Sequence, residues 1–307
     1  MKRQYFRSFP LIFVGSCRIV SLHLYRKESP SNVNKLLAAV LAASVLSLGS
    51  PVPPSAAALA AEASVSSLQP FDLTSLGQGI VAFHSKSPSV RKVLVRKGAA
   101  KQYFTLPPGS SAGNIPLTRG SGDYEITLFE QVRGTTYRQL ASMEVSVKLT
   151  DENAVFLQSV QPIAWNAQMA AIRQAKQLTA NAKTDAAKVG AVYDYLTARF
   201  SYDYAKADSP LPAYYTPDVE ATFAAGKGIC YDAAALYAAM LRSVGVPVKL
   251  VKGYAPNIKS YHAWNEVYLP GSGWQTMDVT TDAAHVQAGR AVSRFKKGAL
   301  YKAQEVV

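Results

Sequence analysis

Cys230, His262 and Asp278 are three side chains of this sequence that could form one nucleophilic unit. In such a unit a cysteine sulfur attacks a carbonyl carbon, an imidazole passes the thiol proton to the leaving group, and a carboxylate orients the imidazole. Each residue alone has a plainer reading. A single cysteine is commonly a small buried hydrophobe, and a histidine in a strand is commonly a hydrogen-bonded structural residue. Asp278 is harder to set aside, because aspartate is depleted in strands and costly to bury without a partner.

The residues around these three predict the elements that would hold them. After Gly226, Lys227 and Gly228, apolar positions at Ala233, Leu236, Tyr237, Met240, Leu241 and Val244 recur at intervals of three and four. That spacing predicts an amphipathic helix with Cys230 in its first turn, stopped by Gly245 and Pro247. The unpaired N–H groups and positive dipole end of a helix start favour a thiolate. Residues 261–269 predict a strand carrying His262, Pro270 to Gly273 a turn, and residues 274–279 a second strand carrying Asp278. Strand side chains alternate faces, so His262 and Trp264 share one, and Asp278 must stand opposite an even-numbered residue to join them. Pairing Leu269 with Trp274 would set Asp278 against Asn265. The predicted register instead sets it across from Trp264 or His262, with a loop of five or seven residues.

This stretch resembles the transglutaminase-like superfamily, whose core shares the papain-like cysteine-enzyme fold. Gly228-x-Cys230 opens a small-residue helix with Arg242 near its end, and the segment GVPVKLVKGY follows. Then come HAW with an acid two residues on (His262, Trp264, Glu266), Gly273-Trp274, and Asp278-x-Thr280. Four separate matches in order cover about the last half of the mature chain. The resemblance implies a nucleophile at Cys230, a base at His262 and an orienting carboxylate at Asp278. One departure is Val279, where many members carry proline.

The rest of the chain frames this unit. Its 307 residues are 49% hydrophobic and contain two cysteines, which excludes a disulfide scaffold. Residues 1–63 read as an N-terminal extension and secretory signal: Lys35, an apolar run from Leu36 to Leu48, Gly49, Pro51, Pro53 and Pro54, then A-x-A sites between Ala56 and Ala63. The run is well short of the roughly 20 residues that span a bilayer. Cleavage near residues 58–63, no stable membrane span afterwards, and a secreted or cell-surface bacterial protein are therefore expected. Cleavage removes Cys17 and leaves Cys230 as the single thiol. Seven of the 33 Lys and Arg and one of the 20 acidic residues lie in residues 1–61, so a formal charge of +13 falls to +7. No basic block of nucleic-acid type appears, and no nucleic-acid partner is expected.

From residue 65 to 149 the sequence turns to alternating β-branched and polar residues. Strands are predicted at 79–84, 90–96, 102–106, 122–130 and 140–148, with Gly113-Asn114 and Gly120-Ser121-Gly122 as punctuation. Residues 151–200 predict two helices, the second capped at Thr184-Asp185 and carrying Val189, Val192, Tyr193, Leu196 and Phe200 as an apolar stripe. Tyr202, Tyr204, Tyr214 and Tyr215 then decorate a loop. Tyr214, Tyr215 and Trp264 are the candidate substrate contacts. His84 and His285 read as structural or surface residues, and the tail after Thr281 as a final strand or two.

Ligands with the paired spacings of a metal site are absent, and Gly226-Lys227-Gly228 lacks the rest of a phosphate loop, so neither metal nor cofactor is expected. The expected fold is α+β: a small β-sandwich over residues 64–150, then a transglutaminase-like domain over 151–307 with its Cys-bearing helix packed on an antiparallel sheet. The expected function is a secreted cysteine enzyme acting on peptide or side-chain amide bonds of a peptide or protein substrate, at the cell wall as one location. The alternative is a catalytically idle domain that binds cell wall or protein. Oligomeric state is not legible.

Overall fold

Alanine-rich sequence lets one helix sit at the centre of the molecule. Every residue of the helix Cys230–Arg242 from Asp232 onward is buried. The spacing of its large apolar residues predicts a single buried stripe. Instead Ala233, Ala234, Ala235, Ala238 and Ala239 fill the remaining surface, and such small side chains let neighbours approach on every side.

The computed structural model describes Pro70–Val307 apart from Ser85, so the expected extension and export signal lie outside the described residues. The first part is mainly strand, with one 3-10 turn at Leu76–Gln78: β1 (Phe71–Asp72), β2 (Ile80–His84), β3 (Arg91–Lys97), β4 (Ala100–Leu106), β5 (Ala112–Pro116), β6 (Gly122–Arg133) and β7 (Thr136–Val147). They make two antiparallel sheets, in the orders β1-β2-β5 and β4-β3-β6-β7. Val81, Phe83 and Ile115 of the first share a buried cluster with Val93, Val95, Leu106, Ile126 and Leu128 of the second. In β7, Ala141, Met143, Val145 and Val147 turn inward while Leu140, Ser142, Glu144 and Ser146 are exposed, as period two requires. Gly113 and Asn114, expected as punctuation, instead lie within β5, where β2 supplies the pairing that their composition does not announce.

Helices α1 (Ala170–Thr179) and α2 (Asp185–Arg199) follow, with Thr184 capping α2 by accepting from Ala187 N at 3.2 Å. Val189, Val192, Tyr193, Leu196 and Phe200 are buried, as their stripe predicts. After β8 (Ser201–Tyr202) come the short helices α3 (Tyr204–Asp208) and α4 (Val219–Ala225), then β9 (Lys227–Gly228) and the central helix α5 (Cys230–Arg242). Strands β10 (Val248–Tyr254), β11 (His262–Leu269), β12 (Gly273–Met277) and β13 (Lys302–Val306) form an antiparallel sheet in the order β12-β11-β10-β13, with helix α6 (Val279–Gln287) between β12 and β13. Helix α5 packs on β10 and β11 and is surrounded by α1, α2, α4 and α6.

The described residues fall in one compact unit with one continuous buried cluster. Part of the join is polar: Gln102 Nε2 and Thr118 Oγ1 both donate to Val306 O, at 2.9 and 3.3 Å. Among the described residues no helix is long and apolar enough to cross a membrane.

Candidate active site

Cys230 opens α5, with Ile229 in extended conformation before it. The backbone leading into it is pinned, because β8 and β9 pair in parallel, Tyr202 opposite Gly228, and Asp203 N donates to Gly228 O at 2.9 Å. A side chain at Gly228 would stand 2.7 Å from Asp232 Cβ, so glycine is required for the turn to close over the first helical residues. Asp232, fully buried, accepts from Ile229 N at 2.9 Å, from Lys206 Nζ at 2.7 Å and from the Tyr215 hydroxyl. One carboxylate at the third helical position thus satisfies an orphan N–H and ties the 203–216 segment to the helix start.

His262 is the first residue of β11, and Asp278 follows the last residue of β12. The pairs Asn265↔Met277 and Leu269↔Gly273 continue to place Asp278 in line with Trp264, as the alternation of faces demands. The loop is the three residues 270–272, not five or seven, because Leu269 and Gly273 also pair. Asp278 itself is not a strand residue. It caps α6, its carboxylate accepting from Thr281 N at 3.2 Å, so the predicted strand stops short of residues 278 and 279 and a helix over 279–287 follows, while the final strand expected in the tail is β13. The β-branched run Val279-Thr280-Thr281 reads as strand; the cap and packing against α2 and α5 override it.

The structure places His262 against Asp278, with Cys230 near enough to influence the imidazole's titration. His262, 5% exposed, has Nε2 at 2.9 Å from Asp278 Oδ2, and Asp278 is fully buried. With Nε2 engaged, Nδ1 is the nitrogen available to the Cys230 thiol. Burial alone would push the imidazole pKa down, but hydrogen bonding to Asp278 and to Cys230 outweighs it and raises the value to about 9. An unfolded histidine titrates near 6.5. The interaction therefore stabilises the fold fully below that pH and is lost as pH rises through about 9, a contribution on the order of 3 kcal/mol. The expected result is that His262→Gln melts well below the parent protein at pH 6 and that the gap narrows steadily towards pH 9.5. Parallel melting curves across that range would contradict this assignment.

The other expected site residues separate. Tyr214 is 37% exposed, consistent with a surface contact. Tyr215 commits its hydroxyl to Asp232 and packs its ring edge-on to Tyr231 at 6.3 Å. Trp264, expected to touch substrate, is 1% exposed and lies between His262 and Tyr301, with ring centroids at 6.3 and 5.1 Å. Odd-numbered Asn265 reaches Ala234 O of α5 at 3.0 Å, so Trp264 lies on the other face of β11, where the Tyr301 ring packs on it; it backs the imidazole and offers no surface. His84 lies exposed at the end of β2, and His285 is exposed on α6.

Two tyrosines gain significance only in three dimensions. The Tyr202 phenol is pushed up to about 12, first by burial and then by the neighbouring Cys230, so it stays a neutral donor near the sulfur. Tyr301 donates to Asp278 Oδ2 at 3.2 Å. The pairing of β8 with β9 signals the first only after folding, and nothing local in the sequence signals the second.

Residues 172–279 match the model of the transglutaminase-like superfamily. No curated protein matches the chain. Among solved structures, the chain is similar to a candidate cysteine protease from Cytophaga hutchinsonii, at 14% identity over 66% of this chain and 74% of that one, with a TM-score of 0.37. It is similar to the periplasmic domain of TgpA from Pseudomonas aeruginosa, solved with ethylmercury bound, at 15% identity over 70% and 96% of the two chains and a TM-score of 0.36. It is also similar to red sea bream transglutaminase, at 13% identity over 65% and 47% of the two chains and a TM-score of 0.27.

Proposed function

We propose that this chain, transglutaminase-like over residues 172–279, is an exported cysteine enzyme that cleaves peptide or side-chain amide bonds through an acyl-thioester. The observation that carries the reading is a buried Asp278 held 2.9 Å from His262, which in turn interacts with a cysteine at the start of a rigidly packed helix. Purely structural histidines rarely need a fully buried carboxylate on one side and a thiol on the other.

In this reaction Cys230 Sγ, its proton having passed to His262 Nδ1, attacks the amide carbon. The carbonyl becomes an oxyanion, for which the N–H of Cys230 is one donor, since the first turn of a helix has no acceptor of its own for it. Collapse breaks the C–N bond, and His262 delivers its proton to the departing amine. Water then loses a proton to His262 and attacks the thioester, returning the thiol and releasing a carboxylic acid. Asp278 keeps the imidazole in one orientation throughout. Water is the default acceptor unless a site seats an amine and excludes solvent, so hydrolysis is the proposed main outcome and cross-linking the minor one. The apolar run from Leu36 to Leu48 followed by A-x-A sites supports export, and with it a peptide or protein substrate outside the cell membrane, the wall included.

The test is trapping. Incubation with a panel of wall peptides and proteins, followed by acid quench and intact-mass analysis, is expected to give an acyl adduct on Cys230 together with product. Cys230→Ala should bind the same peptides and give neither. If parent and variant bind alike and neither forms adduct or product, the fold is an idle binding module and the proposal fails.

A further inference from the structure

The carboxylate of Asp278 has more than one partner. Its Oδ1 accepts from Thr281 N at 3.2 Å, while Oδ2 is shared by His262 Nε2 at 2.9 Å and the Tyr301 hydroxyl at 3.2 Å. The Tyr301 ring packs edge-on to Trp264 at 5.1 Å, and Trp264 stacks on His262 at 6.3 Å. One tyrosine therefore reaches both ends of the His262–Asp278 pair, with its hydroxyl on the carboxylate and its ring on the indole behind the imidazole.

The chain spends several contacts on bringing it there. Tyr301 lies 22 residues beyond the segment that matches the superfamily, between a short turn at Gly298–Leu300 and β13. Lys296 N donates to Thr276 O at 2.8 Å, fastening this strap to β12. Lys296 Nζ pairs with the buried Asp282 of α6 at 2.5 Å, and Arg294 with Asp194 of α2 at 2.8 Å. At Gly298 a side chain would come within 2.9 Å of Thr276 Oγ1, so the strap lies close against the strand edge. Beyond Tyr301, β13 pairs with β10, and at Gly253, opposite His262, an added Cβ would fall 2.1 Å from Lys302 O. Burial first, and then the neighbouring Asp278, push the Tyr301 phenol up, which keeps it a proton donor.

We propose that Tyr301 is a positioning residue for the triad: its hydroxyl fixes the Asp278 carboxylate in the orientation that grips His262 Nε2 and leaves Nδ1 to Cys230. This rests on the reading of the three residues as a catalytic unit. A donor on the same oxygen also takes up part of the carboxylate's charge and so moderates its hold on the imidazolium. The other groups around His262 are Cys230 and Tyr202 on one side, and Asp282 behind Asp278, itself paired with Lys296 and Tyr193. From β10, Gly253 faces it and Lys252 is paired with Glu305.

Tyr301→Phe keeps the ring on Trp264 and removes only the donor. The deciding measurement is the pH titration of the His262 ring signals by NMR in the full chain, assigned by their loss in His262→Gln. Freed of the shared donor, Asp278 sets its full charge against the imidazolium but is no longer held in one orientation, so the midpoint is expected to move up by about half a unit while the loss of orientation lowers the rate. Amide turnover is expected to fall about tenfold, with the alkaline limb of its pH profile following the same shift. An unmoved titration overturns the proposal whatever the rate does. A moved titration in a protein whose parent form turns over nothing would uphold the coupling of Tyr301 to the pair and sink the enzyme reading instead, so the two failures are distinguishable.

Discussion

Alanine at Cys230 or at His262 is expected to lower kcat/KM for amide cleavage by about four orders of magnitude or more, and the double replacement to do no further harm. The two act in one proton transfer, so removing either removes the step, and a second removal finds nothing left to take. Asp278→Asn is the more telling variant. Asparagine caps helices as well as aspartate, so the bond to Thr281 N at 3.2 Å survives, and the melting point should move little above about pH 9, where the pairing of Asp278 with charged His262 is already lost. What changes is the partner of His262 Nε2, because an amide presents either a neutral oxygen or an N–H where a carboxylate stood. The imidazole loses its electrostatic support and can adopt the wrong tautomer, for which a fall of about 10³–10⁴-fold is expected. Steady-state rates on a fluorogenic peptide amide, with thermal melts on the same samples, decide it. An Asp278→Asn protein that folds normally and keeps more than a tenth of the parent rate would show that the carboxylate serves only the helix cap.

The parts of this site that can be read from sequence are those governed by short-range rules. Cys230 at a helix start follows from a glycine-rich lead-in and a three-four apolar spacing, and the alignment of Asp278 with Trp264 follows from strand alternation alone. The misreadings occur where a neighbour distant in sequence overrides local preference. Val279-Thr280-Thr281 is β-prone, yet Asp278 can cap a helix there because α2 and α5 supply the packing. Strand β5 contains Gly113 and Asn114, which mark turns in isolation and become strand because β2 satisfies their backbone. Trp264 reads as a groove residue from its place beside His262, but the same shared face that brings it to the site also buries it. Tyr301 is the extreme case, since its partner precedes it by 23 residues and the strap between them has no periodicity to reveal its path.

The same dependence on distant partners governs the opposite end of α5, where the largest expected effect on stability lies. Arg242 is 2% exposed. Its Nε and Nη2 donate to Val248 O at 2.9 and 2.7 Å, Nη1 to Gln158 O at 2.8 Å, and Nη2 also to Val307 O at 3.1 Å. Burial pulls its pKa down, and carbonyl dipoles from three separate segments compensate the charge. A planar guanidinium can serve three directions at once, which a lysine ammonium on a flexible stem cannot do with the same geometry. Arg242→Ala takes a donor from three carbonyls, of which Val307 O keeps Leu250 N at 2.7 Å, and opens a cavity between α5, β10 and the C-terminal strand, and is expected to cost about 3–5 kcal/mol. Arg242→Met fills most of that volume without donating, so it should recover part of the loss, about 1–2 kcal/mol, and Arg242→Lys should fall between methionine and the parent. Urea unfolding of the four proteins, compared through midpoints at unchanged slope, measures the series. If Arg242→Ala and Arg242→Met unfold together within about 0.5 kcal/mol, the loss comes from the hydrogen bonds alone; if Arg242→Ala costs less than about 1 kcal/mol, the three carbonyls find other donors and Arg242 is not the joint between the helix and the chain's last strand.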